Sequence, residues 1–225
     1  MGILLTTPET LKLFMSGNGL TTFKLLLEYK LFEYIVPQLN PMLNDKQGAP
    51  LKLVGQAMIN TDKRIRNSQR VTPAFIYAAL LWPVVQRLAS NYEKNGNSPP
   101  YALSKAAGDI IAAQIPVTAI PKRFTIPMRE IWDLQLHLKR RGGNRAKRLT
   151  EHPRFRAAYD FILLREQAGE DLDGLGKWWT EYQDVDEDQR QIMAEEILNK
   201  DKQPKRRRRR RNSPKPENSP KPENG

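Results

Sequence analysis

The stretch Pro73-Ala-Phe-Ile-Tyr-Ala-Ala-Leu-Leu-Trp-Pro-Val-Val85 decides the fold class. From Ala74 to Val85 it is apolar at nearly every position. A half-buried strand would alternate, and a surface helix would carry one apolar stripe. A segment apolar all round, opened by proline at its first position, reads as a central buried helix. Pro83 has no N–H and its ring meets the carbonyl four residues back, so a kink or an early stop is expected there.

The sequence on either side supplies helices to cover it. Thr7-Pro8-Glu9 reads as a helix start, with Leu11, Phe14 and Met15 facing inward, and Gly17-Asn18-Gly19 ends it. A second helix is expected from about Thr21, with Phe23, Leu26, Leu27 and Leu31 on one side. Pro37, Pro41 and residues 44–50 break the pattern, and Leu51, Val54, Met58 and Ile59 mark a third helix. Beyond the central segment, Ser98-Pro99-Pro100 opens a helix that turns Leu103, Ala107, Ile110 and Ile111 inward. A loop is expected over 115–127, where three prolines fall. Residues 128–141 read as a helix with Ile131, Trp132, Gln135 and Leu138 on one face, stopped by Gly142-Gly143. Pro153 opens another through Phe155, Ala158, Tyr159, Ile162 and Leu163, followed by stretches holding Trp178-Trp179 and ending near Leu198. No convincing alternating strand occurs, so the fold class is all-α, a helical bundle.

Charge is unevenly placed. The formal charge is +12, and residues 200–225 hold eleven Lys/Arg against three Asp/Glu, a net +8, which leaves +4 for the remainder. Arg206, Arg207, Arg208, Arg209, Arg210 and Arg211 are consecutive, and Asn-Ser-Pro-Lys-Pro-Glu then occurs twice, at 212–217 and 218–223. With almost no apolar side chain to bury, this tail is expected to be disordered. Six adjacent like charges need a polyanion partner, and RNA fits. If all six met phosphates of a single strand, the log–log salt slope would steepen by about 4.

Two further basic clusters lie in the helical part. Residues 122–156 hold eleven Lys/Arg against Glu130, Asp133 and Glu151. The RNA-contact candidates there are Lys122, Arg123, Arg140, Arg141, Arg145, Lys147, Arg148, Arg154 and Arg156, densest around Gly142-Gly143, where a glycine backbone would let a phosphate come close. The bland alternative is that such residues favour helix C-termini and solvent. The second cluster offers Lys63, Arg64, Arg66 and Arg70, where Asp62 and Arg66 stand four apart and could pair on a helix. Phe124, Trp132, Trp178, Trp179 and Tyr182 are near enough to stack on bases, although such rings more often belong to a core.

Several chemistries find no support. The chain has no cysteine, and His137 and His152 lack neighbours at metal-ligand spacing. No Walker-type loop or Gly-x-Ser-x-Gly elbow occurs. Asp171/Asp173 and Asp184/Asp186 lie in loop-like sequence without the Gly-Ser turn that a paired-aspartate Mg²⁺ site uses. No apolar run approaches the ~18 residues of a membrane span. Met1 to Thr6 match the loose myristoylation pattern, which is read as chance.

Five segments together resemble the bacterial poly(A) polymerases, relatives of the CCA-adding tRNA nucleotidyltransferases. They are Thr61-Asp-Lys-Arg-Ile-Arg-Asn-Ser-Gln-Arg-Val-Thr-Pro-Ala-Phe75, Ile120-Pro-Lys-Arg123, Ile131-Trp-Asp-Leu-Gln-Leu136, Glu151-His-Pro-Arg-Phe-Arg-Ala-Ala-Tyr-Asp160 and Lys177-Trp-Trp179. The likeness implies the end of a neck and the start of a helical body over 1–50, an RNA-binding body over 51–119, a basic leg over 120–199 and an Arg-rich tail over 200–225. It implies RNA as partner, held for ATP-dependent 3′ adenylation, in RNA processing and decay, by a head domain that these residues do not contain. ATP and Mg²⁺ are implied for that full enzyme and no cofactor for this chain. No catalytic residue carries over, so the chain alone is expected to be inactive. The implied surroundings are a bacterial cytoplasm, without membrane attachment, with a separate catalytic head or RNA-decay machinery as further partner. A fragment, a split subunit and a relic all fit. The alternative reading is a stand-alone RNA-binding or protein-interaction module.

Overall fold

A computed structural model describes residues 7–45 and 47–202. Of the tail expected to be disordered over 200–225, residues 200–202 are helical, as the end of a helix that starts at Glu187; the rest of it, with Arg206 to Arg211, and the Met1 to Thr6 pattern lie outside the described residues. In chain order the helices are α1 (Thr7–Phe14), α2 (Gly19–Glu28), α3 (Ala49–Arg66), α4 (Pro73–Lys94), α5 (Pro99–Gln114), α6 (Lys122–His137), α7 (Asn144–Thr150), α8 (Phe155–Gln167), α9 (Leu175–Asp184) and α10 (Glu187–Lys202). Short 3₁₀ turns at Phe32–Tyr34 and Asn40–Met42 join α2 to α3. The fold is all-α, with no strand element among the described residues.

Helix α4 is the axis. Every residue from Ile76 to Val85 is buried, ten in succession. Helices α3, α5, α6 and α8 pack around it. Pro83 does not cut α4 short, because the helix runs on to Lys94. A mid-helix proline costs about 3 kcal/mol, and burying a single large apolar side chain contributes about 1.5–3 kcal/mol. Packing on all sides therefore outweighs one lost hydrogen bond. The Trp132 indole N–H donates to the Ala78 carbonyl at 3.2 Å and fixes α6 against α4.

Helix α6 starts earlier than the prolines suggest. It begins at Lys122 and contains Pro127, so the expected loop over 115–127 ends at Pro121. Its two faces serve two hydrophobic clusters. Met128, Ile131 and Trp132 join the large core around α4. Leu134 and Leu138 join a smaller one with Phe155, Tyr159, Ile162, Trp179, Tyr182 and Ala194. A buried Arg165 ties α8 to its surroundings, donating to Gln135 at 2.9 Å and to Glu170 at 2.8 Å.

Two expected inward residues face solvent instead. Leu31 is exposed because α2 stops at Glu28 and Lys30 takes a left-handed φ of 56°, which turns the chain and sends Phe32 inward in its place. Ile59 also lies outside, since the buried face of α3 runs through Leu53, Val54, Ala57, Met58 and Thr61.

Candidate nucleic-acid interface

The C-terminal end of α3 sets up the site. Gln69 N–H donates to the Arg64 carbonyl at 2.8 Å and Ser68 N–H to that of Ile65 at 2.9 Å. Ser68 stands in the left-handed region with φ 56°. This is a Schellman stop with serine where glycine is usual. It folds residues 67–72 back along the helix, and the Arg64 Nε–H donates to the Arg70 carbonyl at 3.2 Å. The chain then enters α4 at Pro73.

Between this turn, the start of α6 and the exposed side of α8 lies a cleft of about 650 Å³. Lys63, Arg64, Arg70, Arg123, Arg154 and Arg156 line it, with Asp160 the single carboxylate among its lining residues. Its apolar wall includes Val71, Phe75, Phe124, Pro127 and Leu163. Helices α4 and α6 both begin at the cleft, and the positive end of a helix dipole favours an anion there. Asn60 and Gln167 close one side, joined by a 2.8 Å amide–amide hydrogen bond.

The cations differ in how far they are committed. The Arg156 Nε lies 3.1 Å from Asp160 Oδ1 and an Arg64 terminal nitrogen 3.5 Å from Oδ2, so one carboxylate joins α3 to α8. Arg154 Nε lies 2.8 Å from Glu130 of α6. Lys63, Arg70 and Arg123 have no carboxylate partner among the described residues. Burial pushes the Asp160 carboxyl above the usual carboxylate range, against the opposing pull of Arg156 and Arg64.

The other candidates are placed elsewhere. Lys122 is exposed at the first turn of α6, outside the cleft lining. Arg66 turns back, its Nε–H donating to the Asp62 backbone carbonyl at 3.2 Å. The anticipated Asp62–Arg66 side-chain pair is replaced, because the Asp62 carboxylate caps α2 through Gly19 and Leu20. Arg140 lies in the turn after α6, and the Arg141 guanidinium sits 5.0 Å above the Trp178 ring. Arg145, Lys147 and Arg148 are exposed on α7, where Lys147 pairs with Glu187 at 2.6 Å.

The glycines between these two groups serve a different end from the phosphate approach read above. Gly143 N–H donates to the Ala194 carbonyl at 2.9 Å. A Cβ on Gly142 would stand 3.1 Å from the Leu198 backbone. The turn is bare so that α10 can cross it.

Of the aromatic candidates, Trp132, Trp179 and Tyr182 are core residues, and Trp178 and Phe124 are half-buried. Both Asp-x-Asp pairs shape the backbone. Asp171 Oδ1 accepts the Asp173 N–H at 3.0 Å, and Asp186 Oδ1 accepts the Gln189 N–H at 2.9 Å at the start of α10. No metal-binding group of three His, Cys, Asp or Glu side chains exists among the described residues. No described helix is long and apolar enough to cross a membrane.

Sequence reasoning missed Asp160, Phe75, Pro127, Asn60 and Gln167 as cleft residues. Phe75 and Asp160 had a signal, since each ends one of the segments quoted for the family likeness. Asn60 and Gln167 had none, because 107 residues separate them.

An all-helical scaffold with a cation-lined, apolar-walled cleft belongs to the class of helical proteins whose surface suits a polyanion. Residues 95–213 match the family model described as "Polymerase A arginine-rich C-terminus", and residues 7–43 the one described as "Probable RNA and SrmB- binding site of polymerase A". The chain belongs to the bacterial poly(A) polymerase family, as its C-terminal region. It is 39% identical over 207 residues to poly(A) polymerase I of Escherichia coli O6:H1, covering 90% of this chain and 44% of that protein. It is 38% identical over 206 residues to that of Salmonella typhi, with the same coverage. To that of Haemophilus influenzae it is 33% identical over 203 residues, covering 88% and 45%. The chain thus spans under half the length of the curated relatives it matches.

Proposed function

We propose that this chain holds an RNA strand in the α3–α4–α6–α8 cleft while a nucleotidyltransferase head, carried outside these 225 residues, adds adenylate to the 3′ end. One observation carries the reading. Thr61–Phe75, Ile120–Arg123 and Glu151–Asp160, three of the five segments that carry the family likeness, contribute every cation of one cleft. Phosphates would be gripped by Lys63, Arg70 and Arg123, which have no carboxylate to surrender, and bases would lie on Phe75 and Phe124. Arg64, Arg154 and Arg156 would complete the grip by sharing their guanidiniums.

In this reading residues 1–50 are the end of the neck and the start of the body, 51–119 the body, 120–199 the leg and 200–225 the tail. Arg140, Arg141, Arg145, Lys147 and Arg148 would form a second contact with the strand, and Lys122, Arg66 and the six-arginine run would add phosphate contacts that read no sequence. ATP and Mg²⁺ act at the head, in the bacterial cytoplasm, within RNA processing and decay.

The test replaces the three cations that lack a carboxylate partner together, as Lys63→Gln, Arg70→Gln and Arg123→Gln. RNA affinity is expected to fall at least tenfold. The log–log salt slope is expected to become shallower by about 2, from roughly 0.7 per lost single-strand phosphate contact. An unchanged affinity and slope would remove the cleft from the RNA path. Incubation of the unaltered chain with ATP, Mg²⁺ and an RNA primer is expected to give no extension.

A second reading has its own support. Leu25, Tyr29, Leu31 and Tyr34 are exposed within the 7–43 match, at 45–67% of full accessibility. Such a group suits a protein partner. Replacing Tyr29 and Tyr34 with Ser should then abolish partner capture without changing RNA affinity.

A further inference from the structure

Asp160 is out of place in a phosphate site. A cleft meant only to attract phosphates gains nothing from a carboxylate, which repels them, and Asp160 is the one acid among its lining residues. Nor is it placed there for cheap stability. Its side chain is 20% exposed, and the arginines it meets are 44% and 71% exposed, so each could be hydrated without it. Pairs of that kind contribute about 0–1 kcal/mol, while burial of the carboxylate works against its ionised form.

The geometry suggests what the carboxylate is for. Each oxygen of Asp160 faces one guanidinium nitrogen, Oδ1 at 3.1 Å and Oδ2 at 3.5 Å. A carboxylate offers about four lone-pair positions, so two acceptor positions remain. They lie beside the very groups that would bind phosphate. A ligand seated against Arg64 and Arg156 therefore meets an acceptor next to its phosphate. It must present a hydrogen-bond donor there or leave the remaining acceptor positions of a largely buried carboxylate unpaired.

We propose that Asp160 is the specificity-determining residue of the cleft, accepting a hydrogen bond from a nucleotide donor adjacent to the bound phosphate. The ribose 2′-hydroxyl answers that description best, because its carbon neighbours the one that bears the 3′-phosphate. A base N–H is the other source of the same chemistry. On this reading the arginines supply affinity without discrimination, and the single acid distinguishes RNA from DNA. The inference rests on the cleft being the RNA site.

The experiment measures binding of adenosine hexamers to the full chain, as ribo, deoxy and 2′-O-methyl forms, and of a purine-riboside hexamer lacking the exocyclic amine. The unaltered chain, Asp160→Asn and Asp160→Ala are compared. A charge-accepted hydrogen bond lost to an unsatisfied partner corresponds to about a tenfold preference. The unaltered chain is expected to prefer ribo over deoxy and 2′-O-methyl forms by about that factor, and both variants to bring the ratio near one. A preference that follows the amine and vanishes in the variants supports the same role with the donor on the base.

Three results would overturn it: no discrimination in the unaltered chain, discrimination that survives in both variants, or equal weakening of every ligand. The last would make Asp160 only a support for its arginines. Ratios are read within one protein, so partial unfolding scales all ligands alike. If the three-cation variant described above leaves affinity intact, the cleft reading fails. If that variant weakens binding but Asp160 moves no ratio, only this inference fails.

Discussion

Asp62 and Gly19, 43 residues apart, are joined by a 2.6 Å hydrogen bond from the Gly19 N–H to the Asp62 carboxylate, whose other oxygen accepts the Leu20 N–H at 3.0 Å. The first two amides of α2 are thus capped from α3, and Asn18, in the N-cap position, makes no side-chain cap bond. Gly19 is bare for the same contact, since a Cβ there would stand 2.8 Å from the Phe14 carbonyl and 3.2 Å from Asp62. Asp62→Ala leaves two amides uncapped near the core and is expected to cost about 2 kcal/mol. Urea unfolding checks this, and a loss under about 0.5 kcal/mol, the weak edge for a cap, would contradict it.

Ser68 offers the opposite sign. A residue with a Cβ held at a left-handed φ carries a steric cost that glycine avoids. Ser68→Gly is expected to raise stability by up to about 1 kcal/mol, less the entropy glycine gains when unfolded. A fall in the unfolding midpoint would show that the Ser68 side chain contributes more than its strain costs.

Gly142 is tested by crowding. Its missing Cβ would lie 3.1 Å from the Leu198 backbone, so a branched side chain must push α10 away. Gly142→Val is expected to cost about 1–3 kcal/mol, the usual range for overpacking. The loss should be local, seen as faster hydrogen exchange in α10 with α4 unchanged. Uniform protection loss across both helices would place the strain elsewhere.

Asp160 makes a pH-dependent prediction. Burial holds its carboxyl above the ordinary range. A raised carboxyl keeps its proton more tightly folded than unfolded, so its contribution favours the fold in acid. That contribution is lost as pH rises through the unfolded value, near 3.9, and then the higher folded one. Asp160→Asn cannot ionise. Its thermal midpoint relative to the parent is expected to be equal or higher at pH 7, with the advantage shrinking as pH falls through the raised folded value and gone below about pH 4. A variant markedly less stable at pH 7 would show that the pairing with Arg64 and Arg156 outweighs the burial.

The helices were legible because helix formation reports on neighbours three and four residues apart. Ala74 to Val85 announced a buried axis, and the inward faces of α5, α6 and α8 followed from spacing alone. The early stop allowed for at Pro83 and the loop expected through Pro127 did not occur, because packing carried both helices on. Leu31 misled because the turn at Lys30 ends the periodicity that would have buried it. The densest basic run, around Gly142-Gly143, lies outside the cleft, and its glycines admit α10.

The sequence by itself therefore determined an all-helical class, a central helix and a store of cations suited to a polyanion. Only the tertiary structure decided that Lys63, Arg123 and Arg156 share one cleft, that Asp160 stands among them, and that Asp62 caps a helix instead of pairing with Arg66. The reason is one of range. Periodicity records which side of a helix is apolar, whereas a site is set by how helices cross, and those crossings join residues dozens of positions apart through packing that no local pattern encodes.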